Sequence, residues 1–232
     1  LISGGKDGSV RFWDLTRLPR QRGPVLLTGG PFVGWSFPEN QPDLLTCDDK
    51  GKIIRWSGDA WQTTNLLAET GIEASKACFL PDRQEVVLAG RDDVLRMFKW
   101  TELGSLRILS AFPKRSLPIS FSWSLRRHGN RLAVGRFDQQ VIYDYEVDTG
   151  ELKESCPAPC TLIALDFSRD GRYCVMGGHR GRVRVRNLVT GEESSFVADL
   201  PRIESVAFSS SGDRVGISTD QGFVRLWETG SW

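Results

Sequence analysis

Apolar and polar positions alternate in short bursts along this chain, and each burst is bounded by turn residues. Residues 6–15, KDGSVRFWDL, set the wording. Lys6, Asp7 and Gly8 are turn chemistry. Val10 and Phe12 then point one way and Arg11 and Trp13 the other, the period of two of a strand. Related phrases return at 49–58, 91–100, 138–147, 179–188 and 220–229. The position of Trp13 recurs at Trp56, Phe98, Tyr145, Arg186 and Trp227, in steps of 43, 42, 47, 41 and 41 residues. Phe37, Phe79, Phe167 and Phe208 each stand 19 residues before the partner at that position. Fixed spacing of this kind is what repeated packing of one unit on the next demands.

The pattern predicts four strands per repeat. They fall at 32–37, 44–47, 52–56 and 63–68, then at 76–80, 85–90, 94–98 and 106–111. The next sets are 119–124, 130–135, 141–147 and 151–156, followed by 162–168, 173–178, 182–188 and 194–198. A last set has three, at 204–209, 214–218 and 223–227. Residues 1–15 hold the end of one strand and all of the next, and 24–28 a short outer strand. Turns with Gly and Asp separate them: Pro81-Asp82-Arg83, Arg169-Asp170-Gly171, Ser211-Gly212-Asp213, and the Thr-Gly pairs at 149–150, 190–191 and 229–230. No helical period persists for ten residues. The class is all-β: a β-propeller of four-stranded antiparallel blades, with about five to six blades present.

Trp13-Asp14 with Asp7 before it, Arg55-Trp56, and Val224-Arg225-Leu226-Trp227 carry a resemblance to the WD-repeat (WD40) β-propeller family, over essentially the whole chain. The resemblance implies a ring of blades around a central channel. It also implies a non-catalytic platform, a scaffold on which other macromolecules assemble. The chain departs from the family pattern in lacking the Gly-His pair before a blade's first strand. Ser3 and Thr46 match the family's strand hydroxyl, ten residues before Trp13 and Trp56, whereas Leu88, Gly135, Met176 and Ile217 do not. The family's buried polar network is therefore incomplete in every blade, and packing is expected to hold the blades. The first repeat lacks its inner strand and the sixth its outer one, so the chain is expected to be a fragment of a longer ring, one of seven blades.

Composition narrows the picture. The 232 residues are expected to form one propeller domain, 1–232, and a hydrophobic share of 40% allows a substantial core. A net charge of +1 gives no global pull toward nucleic acid or membrane. The sequence shows no basic-then-apolar stretch and no long uncharged apolar run, so neither a signal peptide nor a transmembrane helix is expected. Five scattered cysteines, Cys47, Cys78, Cys156, Cys160 and Cys174, read as reduced thiols in a cytoplasmic protein.

Catalytic chemistry finds little support. His128, placed in the Arg-Arg-His-Gly turn, and His179, opening another turn, are not paired by spacing with a nucleophile and a carboxylate. Cys156-Pro-Ala-Pro-Cys160 lacks the second pair a zinc site wants. Gly4-Gly5-Lys6 precedes a strand, so no phosphate cradle forms. No catalytic, cofactor or metal residue is assigned, and no small-molecule substrate is expected.

Charge placement says more. From Leu103 to Phe137 no acidic residue occurs, while Arg107, Lys114, Arg115, Arg126, Arg127, Arg131 and Arg136 do. Arg126 and Arg127 are assigned to solvent. Lys50, Arg91, Lys114, Arg115, Arg136, Phe137, Arg180 and Arg202 fall in turns between second and third strands or in links between blades. Both connections follow even-numbered strands and so share one end of an up-and-down blade. These eight are the candidate partner-binding residues, expected to receive an acidic protein or peptide segment. The alternative is nucleic-acid binding through 103–137, which the balanced net charge disfavours. Arg186, at a Trp position, is open to two readings: stacking on an aromatic neighbour, or a blade that has drifted.

Overall fold

The computed structural model describes residues 2–4, 9–14, 20–21, 26–27, 30–37, 43–58, 61, 63–111, 123–136, 141–157, 162–197, 202–209, 211–219, 221 and 224–229. The fold class is the expected one: all-β, in antiparallel blades of propeller type. Blade I holds β1 (Ile2–Gly4), β2 (Ser9–Asp14), β3 (Arg20–Gln21) and β4 (Leu26–Leu27), the last two both pairing with β2. Blade II holds β5 (Phe32–Ser36), β6 (Leu44–Asp48), β7 (Lys52–Ser57) and β8 (Thr63–Glu69). Blade III holds β9 (Ala74–Leu80), β10 (Glu85–Gly90), β11 (Val94–Lys99) and β12 (Glu102–Ala111). Blade IV holds β13 (Trp123–His128), β14 (Arg131–Arg136), β15 (Val141–Glu146) and β16 (Leu152–Pro157). Blade V holds β17 (Leu162–Phe167), β18 (Tyr173–Gly178), β19 (Arg182–Asn187) and β20 (Glu193–Val197). Blade VI has three strands, β21 (Ile203–Phe208), β22 (Arg214–Thr219) and β23 (Val224–Glu228). Blades I–III belong to one compact unit, 1–119, and blades IV–VI to another, 120–232.

The repeat is exact in register as well as in wording. On the third strands Trp56 lies opposite Leu44, Phe98 opposite Val86, Tyr145 opposite Leu132, Arg186 opposite Cys174 and Trp227 opposite Val215. Thr149 and Thr190 build the same turn, each accepting from the backbone N–H two residues on, with Gly150 and Gly191 at φ of 74° and 76°. One expectation is corrected. The first strand of blade IV is Trp123–His128 rather than 119–124, so Arg126, Arg127 and His128 are in a strand and not in a turn. The tight hairpin is Gly129-Asn130, with His128 opposite Arg131 and Gly129 at φ of 56°. Gly129 supplies the positive φ that the first position of a two-residue hairpin turn requires, and this sets the register.

The second strands are the most buried, β6 and β10 throughout. One apolar cluster, Leu44 and Trp56 with Phe32, Ile54 and Trp61, belongs to blade II itself, and the others lie between neighbouring blades. Leu45, Cys47 and Ile53 of blade II meet Phe79, Val86, Leu88 and Phe98 of blade III. Ala133 and Ile142 of blade IV meet Leu165, Cys174 and Met176 of blade V. Val175, Val183 and Val185 of blade V meet Ile203, Val206, Val215 and Ile217 of blade VI. Packing does hold neighbouring blades together, as the missing polar network led one to expect. Part of that network survives: Trp56 Nε1 donates to Thr46 Oγ1 at 2.8 Å, both buried. Arg186 sits between strands as an ion-pair partner, its guanidinium 3.8 Å from Glu193, which Arg184 also holds at 2.6 Å.

Blades II and III approach closely at Gly34. A Cβ there would stand 2.5 Å from the Ala77 carbonyl oxygen and 2.7 Å from its Cβ. Gly34→Ala is expected to lower stability by about 1–3 kcal/mol through overpacking. Thermal melting checks this; a change below about 0.5 kcal/mol, typical of open surface, would show that the two blades do not close at this point.

Candidate functional site

In unit 1–119 three chain segments meet at one end of blades II and III. The first is the β6–β7 turn. Asp48 caps it, accepting from the N–H groups of Lys50 at 3.0 Å and Lys52 at 2.9 Å. Gly51 closes it at φ of 72°, with Thr70 so near that a Cβ would meet Oγ1 at 2.1 Å. The second is the link 70–73 into β9. Thr70 N donates to Gly51 O, Ile72 N to Thr70 Oγ1, and Ala74 N to Asp49 O. The third is the β10–β11 turn, tied to the link by Arg91 N donating to Glu73 O at 2.8 Å. Turn and link thus share one end, as the even-strand argument requires.

The side chains there carry both signs of charge. Lys50 is exposed. The Arg91 guanidinium is half exposed and stands 3.6 Å from Asp49. Asp92 and Arg96 form a two-pronged pair at 2.9 and 2.5 Å, and the Arg96 guanidinium, more than any other group, holds the Asp92 carboxyl below the usual carboxylate range. Gly71, Ile72, Glu73, Arg91, Asp92 and Arg96 line an open cleft of about 490 Å³.

In unit 120–232 two further candidates are described. Arg180 is exposed in the β18–β19 turn, at φ of 57°, a left-handed conformation that costs a non-glycine residue on the order of 1 kcal/mol. Arg202, just before β21, is half-buried and 3.1 Å from Glu204. Of the eight candidates, then, Lys50 and Arg91 are brought together in one unit, and Arg180 and Arg202 share the link-and-turn end of blades V and VI. Arg136 ends β14, its side chain outside the described set. Lys114, Arg115 and Phe137 lie outside the described residues. Weighing only cations missed Asp49, Glu73 and Asp92, and weighing only turns and links missed Arg96 on β11. The Asp-Asp-Lys and Arg-Asp-Asp wording of the two turns was the available signal.

Elsewhere, Cys47 is buried, and desolvation pushes its thiol well above its ordinary range, which makes it a poor nucleophile. Among the described residues no group of three or more His, Cys, Asp or Glu is placed to hold a metal. No described helix is long and apolar enough to cross a membrane.

Comparison with known proteins adds the following. A family described as "WD domain, G-beta repeat" matches residues 1–14. The chain is 26% identical over 154 residues to the WD repeat-containing protein SL1-17 of Schistosoma mansoni, covering 65% of this chain and 50% of that protein. It is 22% identical over 231 residues to the serine-threonine kinase receptor-associated protein of Gallus gallus, covering 99% of this chain and 51% of that one. It is 24% identical over 179 residues to the U3 small nucleolar RNA-associated protein 18 homolog of Homo sapiens, covering 73% and 31%. The chain spans about half the length of the first two relatives.

Proposed function

We propose that this chain, a WD-repeat protein by its repeats and its relatives, serves as a non-catalytic interaction platform for other proteins within a larger regulatory polypeptide. The single observation that supports this most is the joining of turn to link at one blade end. The Arg91 N–H to Glu73 carbonyl bond fixes it at blade III, so that charged side chains are presented from connections held at the ends of paired strands. The partner chemistry we assign to Lys50, Arg91, Arg180 and Arg202, together with Lys114, Arg115, Arg136 and Phe137, is an acidic segment. A cytoplasmic location is part of the same proposal.

The test is capture of partners from a lysate of the source cell. Reversing Lys50 and Arg180 to Glu is expected to weaken capture roughly tenfold, since exposed pairs contribute up to about 1 kcal/mol each. The melting temperature should stay put, and raised salt should weaken the wild type in the same direction. Equal capture by the double variant would move the site to another face.

A nucleic-acid reading through 103–137 draws on the RNA-associated name of one relative. Against it, Arg107 stands 3.8 Å from Glu85 and Arg131 2.7 Å from Asp144, so two of its cations already face carboxylates. Capture that disappears when the lysate is treated with ribonuclease would favour this reading over a protein partner.

A further inference from the structure

We propose that the cleft between the 70–73 link and the start of β11 holds one basic side chain, lysine or arginine, of a partner protein, with Glu73 as its counter-ion. The proposal rests on the platform reading and adds to it a subsite of the opposite charge preference.

The argument is one of charge left over after pairing. Asp92 and Arg96 satisfy each other through two short bonds. Arg91 faces Asp49. Glu73 is exposed, and its carboxylate has no ion-pair partner among the described residues. Of the charged side chains that line the cleft, Glu73 is therefore the one left without a facing counter-ion: Asp92 and Arg96 hold each other, and Arg91 faces Asp49, which lies outside the lining. Lys50 belongs to the neighbouring turn and does not line the cleft. Glu73 is also fixed in place, because its carbonyl accepts from Arg91 N at 2.8 Å.

Shape agrees with charge. Ile72 is half-buried beside Glu73 and offers an apolar surface to a methylene stem, while the carboxylate meets the charged head. Gly71 sits at φ of 68° with no atom within 4 Å of where its Cβ would be, which leaves its backbone open to an incoming chain. The volume of about 490 Å³ lies in the range of sites for small ligands. An anion in this cleft would meet Glu73 and Asp92 at the same rim, with Arg96 held by Asp92 and Arg91 facing Asp49.

The test titrates the whole chain with N-acetyl-arginine amide and N-acetyl-lysine amide, with the glutamine and glutamate amides as controls. Backbone amide shifts of Gly71, Ile72, Glu73 and Arg91 are followed by NMR. Both cations are expected to shift these amides and to saturate at roughly millimolar concentration, as suits so small a ligand. Glu73→Gln should weaken them at least about fivefold, Glu73→Asp less, and Arg91→Gln not at all. Equal shifts from the neutral glutamine amide, or an unaffected Glu73→Gln variant, would overturn the proposal. Stronger binding of the glutamate amide would overturn it too, making Arg91 the anchor of an acidic-segment site. The Lys50 and Arg180 reversals should leave this titration unchanged, so it fails or stands apart from the capture experiment.

Discussion

Trp56→Ala is expected to lower the stability of the chain by about 3–5 kcal/mol, the range for a large aromatic removed from a core. Trp56 is 6% exposed and packs with Leu44, Phe32, Ile54 and Trp61. Two losses combine. The ring leaves a cavity that the β6–β7 pair cannot fill. Thr46 Oγ1, itself fully buried, also loses the indole N–H that donates to it. Denaturant unfolding measures the sum, and a double-mutant cycle separates the parts. Thr46→Val alone leaves a buried N–H without an acceptor and should cost about 1–3 kcal/mol. Trp56→Phe keeps most of the ring, and adding Thr46→Val to it should cost less than in the wild type. A total loss under about 1 kcal/mol for Trp56→Ala would place the ring at the surface. Trp227, half-buried against Phe196 at a centroid distance of 5.8 Å, should cost less than Trp56 although both hold the same repeat position.

Asp166→Ala is expected to cost about 2–4 kcal/mol. Asp166 is 2% exposed on β17. Its Oδ1 accepts from Phe167 N at 2.8 Å, and its Oδ2 accepts from Phe208 N, also at 2.8 Å, in the next blade. Removing the carboxylate strips an acceptor from two backbone N–H groups, each worth about 1–3 kcal/mol when left unsatisfied in the interior. The loss of a buried charge returns part of that. Asp166→Asn keeps the shape but has one accepting oxygen for two donors, so it should fall between wild type and alanine. Hydrogen exchange gives the specific readout. The Phe208 amide should exchange faster in both variants, while amides of β13–β15 change little. Uniform acceleration throughout blades IV–VI would mean that Asp166 is a general stabiliser rather than the tie between blades V and VI.

Local features of the fold could be read off the chain because they are written in adjacent residues. The second strands at 85–90 and 173–178 fall where the alternation and the flanking turns place them. The Trp56–Thr46 bond was legible through the WD-repeat resemblance, which implies a strand hydroxyl ten residues before the Trp, and the β6–β7 hairpin brings the two together. Where local signals competed, the reading slipped. In blade IV the apolar run from 119 outweighed the Gly129-Asn130 hairpin, although the hairpin fixes the pairing.

For the candidate site, counting strands put the 49–51 and 91–93 turns and the 70–73 link at one blade end, and this is why Lys50 and Arg91 fall together. Their charge environment was not legible. Arg91 beside Asp49 and the cleft that Glu73 shares with Asp92 bring together residues from different connections, and side-chain direction across such a gap has no sequence period. Arg186 shows the same thing on one sheet: its partner Glu193 is a cross-strand neighbour that only the β19–β20 register assigns.

The sequence by itself determined the class, the blade length and the position of nearly every strand and turn, because alternation and glycine placement act over fewer than ten residues. Only the tertiary structure decided which carboxylate meets which cation, that Asp166 ties Phe208 forty-two residues away, and that Gly34 has no room for a Cβ against Ala77. Those contacts join separate strands, turns or blades, and what fixes them is close packing rather than any period along the chain.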